Sequence, residues 1–316
     1  ARFVAPNLMI GNTILLKHAG ICAASASLME ELLLQAGLPE GAYINLFASS
    51  KIIPDVIADP RVQGVSLTGS EAAGASVAEA AGTKSVLELG GSDAMLVLDA
   101  ADVDAMAETA ARARLSNAGQ ACNSPKRIFV ADEIHDDFVA ALTRHVESTP
   151  VGDPLDEATR MGPMSSVEAR DDLDEQVQDA IAKGASVHTG GHPLDRAGAF
   201  YAPTVLTDLT PDMRAWDEEL FGPVAMVYRM TDVDAALEQA NASPFGLSGS
   251  VWSDDPDKAA AVAERLDVGM AYVNEHGTTM PGLPFGGVKR SGYGRELASE
   301  GMNEFVNRKL VRVAAE

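Results

Sequence analysis

The sequence predicts an α/β fold built on parallel sheets, and three observations carry that expectation. Short apolar runs alternate with stretches of helical period along the whole chain. Glycine-bearing turns separate them. The 316 residues, 46% hydrophobic and 22% charged, are an ordinary globular balance and long enough for two domains with a large core.

The elements follow in order. Residues 12–17 read as a strand, and residues 23–35 as a helix stopped by Gly37 and Pro39. Residues 62–68 form a second strand, passing through Gly69 and Ser70 into a helix over 71–81. Residues 86–89 form a third strand, ending at Gly90-Gly91. A helix of period 3.6 covers 102–115. Strand and helix then alternate: 127–130 with 138–146, 224–228 with 233–240, and 247–252 with 258–266, before a strand at 270–273. Strands separated by helices imply parallel pairing through crossovers. Residues 300–306 read as helical. Residues 309–313 read as an isolated strand, of the kind that pairs with another chain or domain. The flexible Gly90-Gly91 is the natural boundary, giving domains over 1–90 and 91–299 and a C-terminal helix and strand over 300–316.

Charge narrows the partners. With 24 Lys+Arg against 46 Asp+Glu, the net charge is −22. Such a surface repels nucleic-acid phosphates and anionic lipid, so neither is an expected partner. No apolar run is long enough to span a membrane. Cys22 and Cys122 are too few and too far apart for a disulfide framework, which points to a reducing cytoplasm. Cys22 fits a helix core. His188 and His192 flank two glycines and lack the further ligands that a metal site needs.

Three places carry candidate chemistry. Cys122 lies in Asn117-Ala118-Gly119-Gln120-Ala121-Cys122-Asn123-Ser124, among small polar residues. That context suits a reactive thiol, and a buried structural cysteine is the alternative. Glu88 ends an apolar strand between Leu87 and Leu89. Desolvation there raises a carboxyl toward a working base, and a Glu pairing with Lys or capping a helix is the alternative. Thr68-Gly69-Ser70-Glu71-Ala72-Ala73-Gly74 joins a strand to a helix whose N-terminus favours phosphate, or Ser70 is an ordinary N-cap there.

Taken together, these motifs resemble those of the aldehyde dehydrogenases. Leu87-Glu88-Leu89-Gly90-Gly91-Ser92 is similar to the glutamate signature. Gly119-Gln120-Ala121-Cys122 is similar to the cysteine signature, at the family's spacing. Gly11-Asn12-Thr13-Ile14-Leu15-Leu16-Lys17 resembles the strand whose Lys meets the adenosine ribose. Residues 68–74 resemble the pyrophosphate turn, and Glu218-Glu219-Leu220-Phe221-Gly222-Pro223 the segment whose second Glu holds the nicotinamide ribose. Pro284-Phe285-Gly286-Gly287-Val288-Lys289-Arg290-Ser291-Gly292 resembles the C-terminal signature.

The resemblance implies an aldehyde-dehydrogenase-like fold, with a partial Rossmann-type cofactor domain and an α/β catalytic domain on a parallel sheet. It implies oxidation of a small-molecule aldehyde to its acid, with Cys122 as nucleophile and Glu88 as base. Lys17, Gly20, Gly69, Ser70, Gly74, Leu89, Glu219 and Phe221 would bind NADP or NAD. Gly20 stands where NAD-favouring members carry a Glu that would repel a 2′-phosphate, so NADP is expected to be accepted. The chain is most similar to the succinate-semialdehyde dehydrogenase branch. Thr279 falls where a substrate-binding hydroxyl is expected, and Ser116 where some members have Arg. Arg114 is near but is expected to turn to another helix face. The family's Trp-Asn-Phe-Pro-type motif, whose Asn serves the oxyanion, has no counterpart here, so an N-terminally incomplete member is expected. A homodimer or homotetramer is expected too. A CoA-acylating or other small-aldehyde enzyme and a truncated non-catalytic homologue are the alternative functions.

Overall fold

Local sequence signals start several of the helices. Asp102, Ser166, Asp232 and Asp255 each cap a helix, accepting from the amides of Ala105, Ala169, Ala235 and Lys258. The computed structural model describes residues 2–315. By contacts the chain divides into two units: Ala1–Leu89 with Thr279–Gly286 and Gly292–Glu316, and Gly90–Thr278 with Gly287–Ser291. Residues 279–286 and 292–299 thus group with the N-terminal residues, where a contiguous 91–299 domain was expected.

The first unit holds two small sheets. Ile14–Leu16 pairs in parallel with Tyr43–Asn45, and Ala23–Gln35 forms the crossover helix. Val4, Ile14 and Tyr43 make its small core. Gly64–Thr68 pairs in parallel with Lys84–Glu88, joined by the helix Glu71–Ala80. Gly292–Tyr293 adds antiparallel on the far side of Lys84–Glu88. Residues 309–313, expected as a strand, are irregular, and Leu310 is 90% exposed. A strand exists only with a neighbour to accept its hydrogen bonds, and no segment among the described residues pairs with this one. Cys22, expected in a helix core, is exposed in the 3₁₀ turn Gly20–Cys22 that precedes the helix.

The second unit is a seven-stranded sheet. Its order is Met270–Val273, Ser248–Trp252, Asp93–Val97, Pro125–Ala131, Val224–Met230, Thr204–Thr207 and Ser186–Thr189. Every neighbouring pair is parallel except the last, antiparallel at the edge. Alternation along the strands feeds two cores. Met95, Val97, Ile128 and Val130 pack with residues of Val103–Leu115 and Asp132–Glu147. Leu96, Phe129 and Leu206 pack with residues of Val167–Ala182, Val233–Asn241 and Pro256–Ala263. Both tryptophans belong to this unit, and the Trp216 ring meets Tyr228 edge-on at 5.7 Å. Among the described residues no helix is long and apolar enough to cross a membrane, and no group of three or more His, Cys, Asp or Glu could hold a metal.

Candidate active site

Cys122 lies in the loop that enters the amino end of Pro125–Ala131. Three consecutive residues before it are left-handed: Asn117, Ala118 and Gly119, with φ of 53°, 54° and 71°. Only glycine adopts that region without cost. At Gly119 there is a second reason for glycine, since a Cβ there would lie 2.2 Å from Gly222 O.

Two buried cations hold this loop. Arg114 is fully buried. Its guanidinium donates to Gly119 O (3.0 Å) and Ser124 Oγ (3.0 Å) on one side, and to Val224 O (2.6 Å), Leu220 O (2.8 Å) and Gly222 O (2.5 Å) on the other. Burial pushes it down to about 9, so it stays charged near neutrality. The expected turn away to another helix face is therefore a turn inward, and Arg114 ties the cysteine loop to the 220–224 segment. Lys126 donates to Ala121 O (2.9 Å) and Cys122 O (3.0 Å) and pairs with Glu219 Oε1 (3.1 Å). Glu219 also accepts from the Gly91 amide at 3.1 Å. The glycines fit tightly here, because a Cβ on Gly91 would lie 2.6 Å from Cys122 O and one on Gly90 2.4 Å from Glu219 Oε2. Beneath the loop, Asp93 is buried against the Ser248 hydroxyl and amide. Desolvation raises it to about 7, opposed chiefly by the Lys126 charge.

Glu88 belongs to the first unit. It ends Lys84–Glu88, flanked by Thr68 on one neighbouring strand and Gly292 on the other. Its backbone O accepts from Gly69 N at 3.0 Å. The side chain is 2% exposed, and neither carboxylate oxygen receives a hydrogen bond from the described residues. Desolvation raises its pKa to about 8. The Glu296 charge adds to the rise, and Arg2 and Arg295 oppose it. Gly286 leaves room for the carboxylate, since a Cβ there would lie 2.9 Å from Glu88 Oε1.

The expected cofactor residues of this unit fall in two places. Ser70 caps Glu71–Ala80 through the Ala73 amide (3.4 Å). Gly69 spends its own amide on Glu88, so an anion at this turn would rely on the first turn of the helix. The room that Gly74 leaves is filled by Leu89, whose Cδ1 would lie 2.5 Å from a Cβ there. Lys17 and Gly20 follow the other small sheet and are exposed, and a Cβ on Gly20 would meet nothing within 4 Å. In the second unit, Phe221 is exposed and lies 5.9 Å from the Lys126 ammonium. Ser116 is exposed in the second unit and Thr279 in the first.

The statistical model of the Aldehyde dehydrogenase family matches residues 1–311. The chain belongs to the aldehyde dehydrogenase family. It is 58% identical over 314 residues to a succinate-semialdehyde dehydrogenase (NADP+) of Deinococcus radiodurans, covering 98% of this chain and 66% of that protein. A Mycobacterium avium protein of the same name is 44% identical, with 99% and 67% covered. The chain thus spans about two thirds of the length of these relatives. A succinic semialdehyde dehydrogenase of Streptococcus pyogenes, solved with NADP+, superposes with a TM-score of 0.96 at 44% identity, over 99% of this chain and 70% of that one. A Staphylococcus aureus betaine aldehyde dehydrogenase solved with NAD+ gives 0.92 at 33% identity, over 100% and 66%. The aldehyde-dehydrogenase-like α/β fold expected from the motifs is the one observed.

Sequence reasoning missed Lys126, the inward clamp of Arg114, and the Arg2–Glu296 pair (2.6 Å) beside Glu88. A signal was available for Lys126: it is a charged residue inside a strand whose other members are mostly apolar. A cavity of about 600 Å³ in the second unit is lined by His135, His188, Trp216, Tyr228 and Arg229 among others and contains none of the expected site residues.

Proposed function

We propose that this aldehyde dehydrogenase oxidises succinate semialdehyde to succinate with NADP, using Cys122 as nucleophile and Glu88 as general base. The observation that carries the proposal is the state of Glu88: a buried carboxyl with no hydrogen bond from the described residues and an ionisation near 8, in a chain 58% identical to an enzyme named for this reaction. Such a group takes a proton readily once ionised and has no partner to give up first.

The Cys122 thiolate attacks the aldehyde carbon, forming a C–S bond and a thiohemiacetal oxyanion. Each preorganised donor to that oxyanion contributes about 3–4 kcal/mol. The nicotinamide, when bound, supplies the acceptor for the hydride that leaves this carbon. The carbon is left as a Cys122 thioester. Glu88 removes a proton from water as its oxygen adds to the thioester, and collapse expels the Cys122 thiolate and frees the acid. Lys17, Gly69, Ser70, Gly74 and Leu89 would serve the adenosine and pyrophosphate, and Glu219 and Phe221 the nicotinamide ribose. The space at Gly20 suits a 2′-phosphate, because no described residue would crowd a side chain at that position. Ser116 and Thr279 would donate to the substrate carboxylate. The same reading makes the protein a cytoplasmic homodimer or homotetramer, which sedimentation would test.

Cys122→Ser should lower NADPH formation from succinate semialdehyde by about a thousandfold or more. Turnover retained in that variant would sink the proposal.

A further inference from the structure

Lys126 and Arg127 are adjacent buried cations with different surroundings. Arg127 donates to Ser92 O (2.8 Å) and Ala240 O (3.1 Å), all structural backbone. Lys126 spends its ammonium elsewhere. An ammonium has three protons, and three acceptors meet it: Ala121 O at 2.9 Å, Cys122 O at 3.0 Å and Glu219 Oε1 at 3.1 Å. Two belong to the cysteine loop, and the third is a carboxylate assigned above to the cofactor ribose. The Lys126 side chain is wholly buried, so water cannot replace a lost acceptor. Glu219 is held in turn by the Gly91 amide and by the absence of a side chain at Gly90.

We propose that Lys126 is a positioning residue that couples the Glu219 carboxylate to the reactivity of the Cys122 thiol. The coupling rests on the functional reading above, in which Cys122 is the nucleophile. The ammonium lies 3.0 Å from the carbonyl oxygen of Cys122, and a positive charge near a thiol favours its thiolate. Glu219 neutralises part of that charge. Whatever weakens the grip of Glu219 on Lys126 leaves more of the charge to act on the cysteine loop.

The test needs no turnover. Alkylation by iodoacetamide is followed peptide by peptide with mass spectrometry, and the exposed Cys22 serves as an internal reference. Lys126→Met should slow Cys122 relative to Cys22 by about fivefold or more, and Lys126→Arg should recover part of the rate. Glu219→Gln should speed Cys122 by about threefold, and should lose that effect in the Lys126→Met background. A Cys122 rate within about twofold of the parent in Lys126→Met would overturn the coupling. So would an equal acceleration by Glu219→Gln in both backgrounds. Should Lys126→Met lose its native circular dichroism, the Glu219→Gln arm decides alone: an unchanged or slower rate refutes the proposal. Failure of the functional reading is a separate result, namely aldehyde oxidation that survives Cys122→Ser.

Discussion

Replacing Glu88 by Gln should make the protein more stable, by an amount that grows with pH. The carboxyl ionises at an ordinary 4.5 in the unfolded chain and near 8 in the fold. With that difference, the ionised form costs about 5 kcal/mol more in the folded state. The sign follows from which state releases its proton first. Below pH 4.5 both states keep it and the cost is absent. As pH rises the unfolded chain ionises first, and stability falls until the folded group also ionises near 8. At pH 7 the loss is about 3 kcal/mol. Gln has no proton to release, so Glu88→Gln should gain about 3 kcal/mol at pH 7 and about 5 at pH 9, with almost no gain near pH 4. Urea unfolding followed by far-ultraviolet circular dichroism, at matched pH for both proteins, measures the difference directly. Titrating groups that do not act on Glu88, Asp93 among them, are common to both and cancel. A gain that stayed flat with pH, or a loss at pH 8, would refute the reasoning. The same variant should hydrolyse its thioester slowly, a trade of activity for stability. In the parent, the hydrolytic step should quicken as pH rises through about 8, because only ionised Glu88 accepts a proton.

Two further outcomes follow from single residues. Arg114→Met removes the partner of four backbone carbonyls and the Ser124 hydroxyl, and should cost about 3–5 kcal/mol in urea unfolding; a loss below about 1 kcal/mol would mean that the clamp is not needed. Gly20→Glu introduces a carboxylate into open space and should shift kcat/KM toward NAD over NADP by about tenfold or more; an unchanged ratio would remove Gly20 from cofactor discrimination.

Periodicity alone located several elements. The helix Ala23–Gln35 and the strand Met270–Val273 have the limits that their apolar spacing predicts. The strand Asp93–Val97, all five of its residues buried, was missed where it follows directly on the Gly90-Gly91 turn read as a boundary. The helix Val167–Ala182 was missed because it is rich in Asp and Glu, and only Leu173, Val177 and Ala180 are buried. Burial of Glu88 could be anticipated from its leucine neighbours. Its opposition by Arg2 and Arg295 could not, because those residues lie far away in sequence. The placement of Cys22 failed for the converse reason: short apolar context does not say which face of a turn a neighbour will cover.

Both indole rings of this protein, Trp216 and Trp252, fall within residues 90–278, and none lies in the remainder of the chain. Intrinsic emission excited at the red edge therefore reports on the seven-stranded region only. A denaturation curve recorded that way would stay silent about the segment that carries Glu88, and two-step melting would pass for one step unless a second, backbone-sensitive signal were recorded beside it.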